Sequence, residues 1–433
     1  MTYFSYRQCR MRHAGLARVV LHACLLVPLV AQAQDALTLD DAVRRALQQH
    51  PQLQAFSIRF RALDYEREAA SLRPAYRLGV EAGNIAGSGP YTGTDSAELT
   101  VSLSSVLELG GKRDARMDAA TSRYALVEAE RDARALDLAG EVTRRFVTLL
   151  ALQEKLSVAE EATALAERSV ALVKQRTRRG AAPEAELLRA QAALAQAQLA
   201  EAALRADWQG SGYALASLWR GDLSEATVLQ GDLFNFDTPA TFEQLYQRVE
   251  QSPAIAVYAS EERLRAAELA LVQSRSRLDI DWSVGARRFE DSGESAFTAG
   301  VSVPLFAGRR NQSEIGAALA QRDQVQFERE SALLALRAQL FSAWQTYRQS
   351  ADAAQRIRQT VLPSLELALA QTRDAYERGR YSYADWISAQ RDLLDARHAA
   401  IGAASRALVS QALIEQLTAE PLTDRPVGVP ASR

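Results

Sequence analysis

Four short stretches of strict apolar–polar alternation constrain this chain more than any other feature. Leu78, Val80 and Ala82 alternate with Gly79, Glu81 and Gly83; Ala97, Leu99, Val101 and Leu103 alternate with Glu98, Thr100, Ser102 and Ser104. About 200 residues later, Ile280, Trp282, Val284 and Ala286 alternate with Asp281, Ser283, Gly285 and Arg287. Past the polar turn 290–295, Phe297, Ala299, Val301, Val303 and Leu305 alternate with Thr298, Gly300, Ser302 and Pro304. Period two predicts strands with one apolar and one polar face. Each run is close to the ~9–11 residues with which a tilted strand crosses a bilayer. Beyond the N-terminal leader, no stretch approaches the ~18 unbroken apolar residues of a membrane helix. A chain of this kind spans a membrane with strands or not at all. Four strands cannot close a barrel, and lipid forbids open sheet edges, so copies must pool their strands. Two, three or four copies would supply about eight, twelve or sixteen strands, and more than about eight leaves a lumen. Glu81, Glu98, Asp281 and Arg287 on the polar faces suit a wet lumen.

The first 33 residues read as an address. Arg7, Arg10, Arg12 and Arg18 precede an apolar run from Val19 to Val30, and Ala31-Gln32-Ala33 supplies an A-x-A cleavage signal. The run is too short for a membrane anchor, so residues 1–33 are expected to be a signal peptide. Both cysteines, Cys9 and Cys24, lie within it, and whether Cys24 is lipidated stays open. Removing four arginines takes the 51 basic residues to 47 against 53 acidic ones, a net of −6, which leaves no basic footprint for nucleic acid. A mature chain without cysteine has no disulfide and no thiolate metal site.

Between the strand pairs the chain is helical. From Gly111 to Arg179 there is no proline, and alanine, leucine, arginine and glutamate dominate. A helix of that length measures about 100 Å at ~1.5 Å per residue. Val142, Phe146, Leu149 and Leu156 form a coiled-coil seam. Arg179-Gly180-Ala-Ala-Pro183 predicts a turn, and a return helix runs to about Trp219 with Ala193, Ala197, Ala200 and Leu204 on one stripe. The second long helix runs from about Arg309 to Arg378 with a seam of Leu333, Leu336, Leu340, Trp344 and Tyr347. Pro363 predicts a kink or break in it. Gly379 turns the chain into a return helix ending near Thr418.

The two halves correspond in order. Thr38-Leu-Asp-Asp41 and Thr241-Phe-Glu-Gln244 both look like capping-box starts. His50-Pro51 and Ser252-Pro253 each end the short helix that follows. Gly180 is followed at +6, +10 and +11 by Glu186, Ala190 and Gln191; Gly379 is followed at the same offsets by Asp385, Ala389 and Gln390. The expected organisation is a first repeat over 34–240, with strands about 76–86 and 95–107 and a helical hairpin about 111–219. A second repeat covers 241–418, with strands about 279–290 and 296–306 and a hairpin about 309–418. Residues 220–240 read as an irregular link and 419–433 as a disordered tail. The fold class is mainly α with a small β part: long antiparallel coiled-coil hairpins, and strands that reach a barrel only in an oligomer.

With these features placed, residues 37–418 resemble the outer-membrane efflux family typified by TolC. The resemblance rests on the paired helix starts before His50-Pro51 and Ser252-Pro253, on Val301-Ser-Val-Pro-Leu-Phe-Ala-Gly308, and on the two tips after Gly180 and Gly379. Leu107-Glu-Leu-Gly-Gly-Lys-Arg113 is similar to the branch serving cobalt–zinc–cadmium and related cation pumps. The resemblance implies a homotrimer in the cell outer membrane, with one twelve-stranded barrel and a periplasmic α-helical tunnel. It implies a periplasmic adaptor and an inner-membrane pump of the RND type as partners, and a passive duct. It also implies roles at the tips. Tyr376 matches the family's tip tyrosine, and Glu186 falls where an acid pairs with it. Asp385 matches a carboxylate that rings the entrance. Ser388 stands where some relatives carry a second carboxylate, and Tyr381 replaces an arginine of the closed lock. Gly180, Pro183, Gly379 and Arg380 would face the adaptor.

No catalytic constellation is present: no Gly-rich phosphate loop, no Gly-x-Ser-x-Gly elbow, no His-Glu-x-x-His. The chain is not expected to be an enzyme or to need a cofactor. The mature protein has only His50, His398 and Met117 as soft ligands, so a resident metal site is not expected either. A duct for drugs or for type I protein secretion would share the tunnel. A secreted coiled-coil stalk without a pore is the reading of another class, against which the alternating strands and the A-x-A signal weigh.

Overall fold

A computed structural model describes residues 36–420 apart from 224–226, 237–239, 305–308 and 310. The expected leader with Cys9 and Cys24, the tail past 420, and the Leu305–Gly308 end of the strand motif lie outside the described residues.

The chain opens with β1 (Ala36–Thr38) and α1 (Leu39–Gln49). Thr38 starts that helix: its Oγ1 accepts from the Asp41 amide at 3.2 Å and donates to Asp41 Oδ2 at 2.8 Å. This satisfies an amide that the first turn leaves free, with two acids at the positive end of the helix dipole. His50 turns extended, and Pro51 takes the first position of α2 (Pro51–Ser71), where its missing N–H costs nothing. Then follow β2 (Arg77–Gly83), β3 (Glu98–Leu107), α3 (Lys112–Arg178) and α4 (Glu184–Ala216). After β4 (Val228–Gln230) the same order recurs. A complete Thr241–Gln244 capping box opens α5 (Phe242–Glu250), and Pro253 opens α6 (Pro253–Ser274). β5 (Ile280–Phe289), β6 (Ser295–Ser302), α7 (Gln312–Arg356), α8 (Leu362–Glu377) and α9 (Tyr383–Thr418) complete the chain.

β4 is a finding within the expected irregular link. It pairs in parallel with β1, Leu37 opposite Leu229, and the Gln153 side chain both donates to the Leu229 carbonyl (3.3 Å) and accepts from its amide (3.0 Å). Three residues per strand are too few to show a period, so the pattern was silent there.

The other strands form one antiparallel sheet in the order β2-β3-β5-β6. Its register puts Val80 opposite Val101, Val101 opposite Ala286, and Val284 opposite Ala299. The apolar positions of the four alternating runs therefore share a face, and Glu81, Glu98, Asp281 and Arg287 share the other; at the ends of the sheet Val106 and Phe289 fall on the polar face and Arg288 on the apolar one. On the polar face Arg287 donates to Glu98 Oε2 at 3.0 Å and to Thr100 Oγ1 at 2.9 Å. The apolar face is bare: Phe297 is 96% exposed and Leu78 and Val301 are each 73% exposed. Among the described residues, strands β2 and β6 have no neighbour on their outer edges.

The joint between sheet and helices explains the Leu107–Arg113 motif. Gly110 has a φ of 77°, and a Cβ there would lie 2.6 Å from the Arg277 side chain. Two residues on, Lys112 is buried, its ammonium 2.7 Å from Asp279 and 2.8 Å from the Arg277 carbonyl. Arg116 holds Glu108 with both guanidinium ends, and Arg113 donates to the Ser71 carbonyl at 2.6 Å. The motif thus knots the start of α3 to the α6–β5 turn of the other half.

Below the sheet, α2 packs on α3, α3 on α6 and α6 on α7. The main core lies further down, where Val142, Phe146 and Leu149 of α3 meet Leu215, Trp219 and Ile401. A second cluster gathers Leu245, Leu340, Tyr347 and Ile414. Of the expected seams, Val142, Phe146, Leu149, Leu340 and Tyr347 are buried, Leu156, Ala193, Ala197, Leu204, Leu333, Leu336 and Trp344 are half-buried, and Ala200 is exposed. The expected break at Pro363 takes a specific form. Residues Ile357–Val361 wind as a π-helix, and Pro363 sits in the first turn of α8. Proline lacks the N–H for the residue four back and crowds that carbonyl; a widened turn relieves both.

Candidate functional site

Both hairpins end in the same backbone turn. At the first tip, Ala181 N–H reaches the Arg176 carbonyl (2.9 Å) and Gly180 N–H the Thr177 carbonyl (2.9 Å). At the second, Arg380 reaches Ala375 (2.8 Å) and Gly379 reaches Tyr376 (2.9 Å). Gly180 and Gly379 hold φ of 73° and 75°, left-handed values that favour glycine. These turns, with Pro183 and Arg380, are exposed.

What the tips place behind their turns differs. Tyr376, at the end of α8, is 2% exposed, and its hydroxyl donates to Glu186 Oε2 of α4 at 3.2 Å. This contact joins residues 190 apart and ties one hairpin to the other. The Tyr376 ring stacks on Trp386 (centroids 5.1 Å, 22°) and meets Tyr383 edge-on at 6.1 Å. Arg176 of α3 lies over the same ring, 4.7 Å from the centroid, and donates to the Tyr376 and Glu377 carbonyls at 3.1 and 3.0 Å. Val173 and Ala190 complete the cluster. Burial, and then the Glu186 carboxylate, disfavour the phenolate and push the Tyr376 phenol up to about 12. Burial raises Tyr383 as well. The Tyr383 hydroxyl, Trp386 Nε1 and Arg176 Nε are buried with no hydrogen-bond partner among the described residues.

Asp385 lies outside this cluster. Its Oδ2 accepts from Ser382 N (3.0 Å) and Ser382 Oγ (2.7 Å), and Ser382 Oγ in turn accepts from the Asp385 amide, a full capping box for α9. The Ser382 hydroxyl, and then its amide, hold the carboxyl below the usual carboxylate range. The group is fully exposed, so it remains free to face other charges. Ser388 is exposed beside a cleft of about 340 Å³ shared with Arg189, Tyr383 and Arg391. Tyr381 is exposed on the turn.

The structure thus brings Tyr376 and Glu186 together, and leaves Asp385, Ser388 and Tyr381 on the surface. Sequence reasoning missed Tyr383, Trp386 and Arg176. A signal existed for the first two: aromatics three apart in the first turn of a helix share a face. Ser382-x-x-Asp385 also carries the capping pattern recognised at Thr241.

Among the described residues no group of three or more metal-ligating side chains converges. His50 caps α2, its Nδ1 accepting from Gln52 N at 3.3 Å, and burial lowers its pKa. His398 is half-buried, and burial lowers it too. No described helix is long and apolar enough to cross a membrane.

The profile of the family described as outer membrane efflux protein matches residues 42–220 and 245–420. The cobalt-zinc-cadmium resistance protein CzcC of Cupriavidus metallidurans is 30% identical over 311 residues, 72% of this chain and 73% of that one. The nickel-cobalt-cadmium resistance protein NccC of Alcaligenes xylosoxydans xylosoxydans is 26% identical over 310 residues, 70% of each chain. Among solved structures, the outer-membrane channel OprN superposes with a TM-score of 0.73 at 19% identity, over 89% of this chain and 90% of that one. The outer membrane protein VceC of Vibrio cholerae gives 0.71 at 20% identity, over 89% and 97%. At such identities the structural likeness speaks for the fold.

Proposed function

The chain belongs to the outer membrane efflux protein family, and from that premise we propose that it is the exit duct of a tripartite efflux assembly. It is an outer-membrane efflux protein and not an enzyme. Three copies pool their sheets into one twelve-stranded barrel, and their helices continue it as a periplasmic tunnel. The single observation that carries this reading is the sheet itself. Four strands bare an apolar face, turn Glu81, Glu98, Asp281 and Arg287 to the other, and leave both edges without a neighbour among the described residues. Only other strands satisfy those edges in lipid.

The cargo in this reading is divalent heavy-metal cations, supplied by an inner-membrane proton-driven pump through a periplasmic adaptor that meets Gly180, Pro183, Gly379 and Arg380. The named specificities of CzcC and NccC support it. The duct is passive: it holds no resident metal, and selection occurs upstream. Its entrance is closed at rest by the Tyr376–Glu186 contact and ringed by Asp385 from each copy, which favours cations.

Planar-bilayer recording on the purified oligomer tests this. Asp385→Asn removes the charge but keeps an acceptor for Ser382, so the cap survives. Cation selectivity and divalent block should both fall; if neither changes, Asp385 does not line the entrance. Tyr376→Phe should raise the resting conductance. A pore-free oligomer would overturn the duct.

A further inference from the structure

Behind the two tips, the return helices α4 and α9 bound the cleft of about 340 Å³ that Ser388 lines. Each helix starts at a tip, one in each hairpin, so the two run the same way here. On α4, Arg189, Ala192 and Gln196 stand three and four residues apart, which puts them on one face of the helix. On α9, Ser388 and Arg391 share a face in the same way. The small Ala192 leaves room between Arg189 and Gln196.

Among the described residues, the lining holds two guanidinium groups and no acid. Other arginines of the hairpin ends have counter-charges. Arg373 meets Glu377 and Arg378 meets Asp374, both at 2.9 Å, and Arg397 reaches Glu161 at 2.7 Å and Glu366 at 3.4 Å. Among the described residues, Arg189 and Arg391 have neither an ion pair nor a hydrogen bond. Glu186, three residues before Arg189, accepts from Tyr376, and Asp385, three before Ser388, caps its own helix. Neither acid is in ion-pair contact with an arginine of the cleft. Tyr383 lines the cleft as well, and its buried hydroxyl is a donor with no partner among the described residues.

Two cations at one concave site repel each other, and their combined field draws the opposite charge. Guanidinium groups take oxygen anions through paired, charge-assisted hydrogen bonds, and the Gln196 amide and Ser388 hydroxyl are further donors. We propose that the cleft binds a small oxyanion of the phosphate class, held between Arg189 of the first hairpin and Arg391 of the second. The bound anion fastens α4 to α9, a second joint between the hairpins beside the Tyr376–Glu186 bond. Position 388 decides whether the site is open. A carboxylate there would be an internal counter-charge; serine leaves that place to a ligand. Both arginines belong to one chain, so binding does not depend on the pore.

Backbone hydrogen exchange on the purified oligomer tests this, with inorganic phosphate titrated at an ionic strength held constant by potassium chloride. Phosphate should slow exchange saturably at 186–196 and at 383–391 together. At 100 times its Kd, the slowing should reach about 100-fold for openings that empty the cleft. Arg391→Gln should abolish the slowing. Ser388→Asp keeps both arginines and should abolish it too, by supplying the anion from within. Arg373→Gln removes an arginine outside the cleft and should keep the full response. An equal response in all four chains would mean an adventitious ion only and would overturn the site. So would the absence of saturable slowing in the wild type, or slowing on α4 without slowing on α9.

Discussion

At the first tip, Gly180 turns α3 into α4 and Pro183 precedes the new helix with no side-chain cap. At the second, Gly379 makes the same turn, but Ser382 and Asp385 cap α9 reciprocally, and Tyr376, Tyr383 and Trp386 stack behind it. Further from the tip the contrast continues. The first hairpin stands on α3, 67 unbroken residues; the second is interrupted by the π-helical Ile357–Val361 just before Pro363. The first hairpin is an unbroken rod whose return helix starts without a side-chain cap. The second has a tightly built end on a helix with a soft point above it. The Tyr376–Glu186 bond ties the second tip to the first hairpin.

The largest test of this contrast removes the aromatic stack. Trp386 is 3% exposed, and Trp386→Ala should cost about 3–5 kcal/mol of local stability, read as faster hydrogen exchange confined to the second tip. Exchange that rises equally at both tips would erase the distinction. The next exports the soft point to the rod. Ala164 lies sixteen residues before Gly180, as Pro363 does before Gly379. Ala164→Pro should cost about 3 kcal/mol or more, with new exchange and protease sensitivity in α3. A silent substitution would mean that the rod tolerates the same break.

A smaller effect probes the tie. Tyr376→Phe removes one hydrogen bond, worth about 1 kcal/mol. The phenol is pushed up to about 12 in the folded tip. A raised pKa means the protonated form is the stabilised one. Its contribution is therefore complete below the ordinary tyrosine value of ~10 and fades as pH rises toward ~12. Tip stability in the wild type should fall across that window, and Tyr376→Phe should flatten the fall. The smallest change is Ser382→Ala, which should fray the first turn of α9 by about 0.5–1 kcal/mol and leave the first tip untouched.

The candidate site was half legible. The glycines, the turns and the likeness between tips lie within a few residues of each other, and the pairing of Tyr376 with Glu186 came through the family resemblance. Arg176 carried no signal, because an arginine near a helix end reads as a dipole partner or a solvated charge until its neighbours are known. Asp385 was expected to serve the entrance; the structure shows first that it caps its own helix.

By itself the sequence determined what is local. Period two, caps, helix-starting prolines and left-handed glycines act within a turn or a pleat, so strands, helices and their ends follow from neighbours in the chain. Tertiary structure decided what joins across distance. The register of β3 against β5 spans more than 170 residues. The three-residue pairing of β1 with β4, the knot of Lys112 on Asp279 and the aromatic cluster likewise depend on which segments the packed helices bring together. It also decided which faces stay bare, since a heptad stripe looks the same in sequence whether its partner lies in the same chain or in the next.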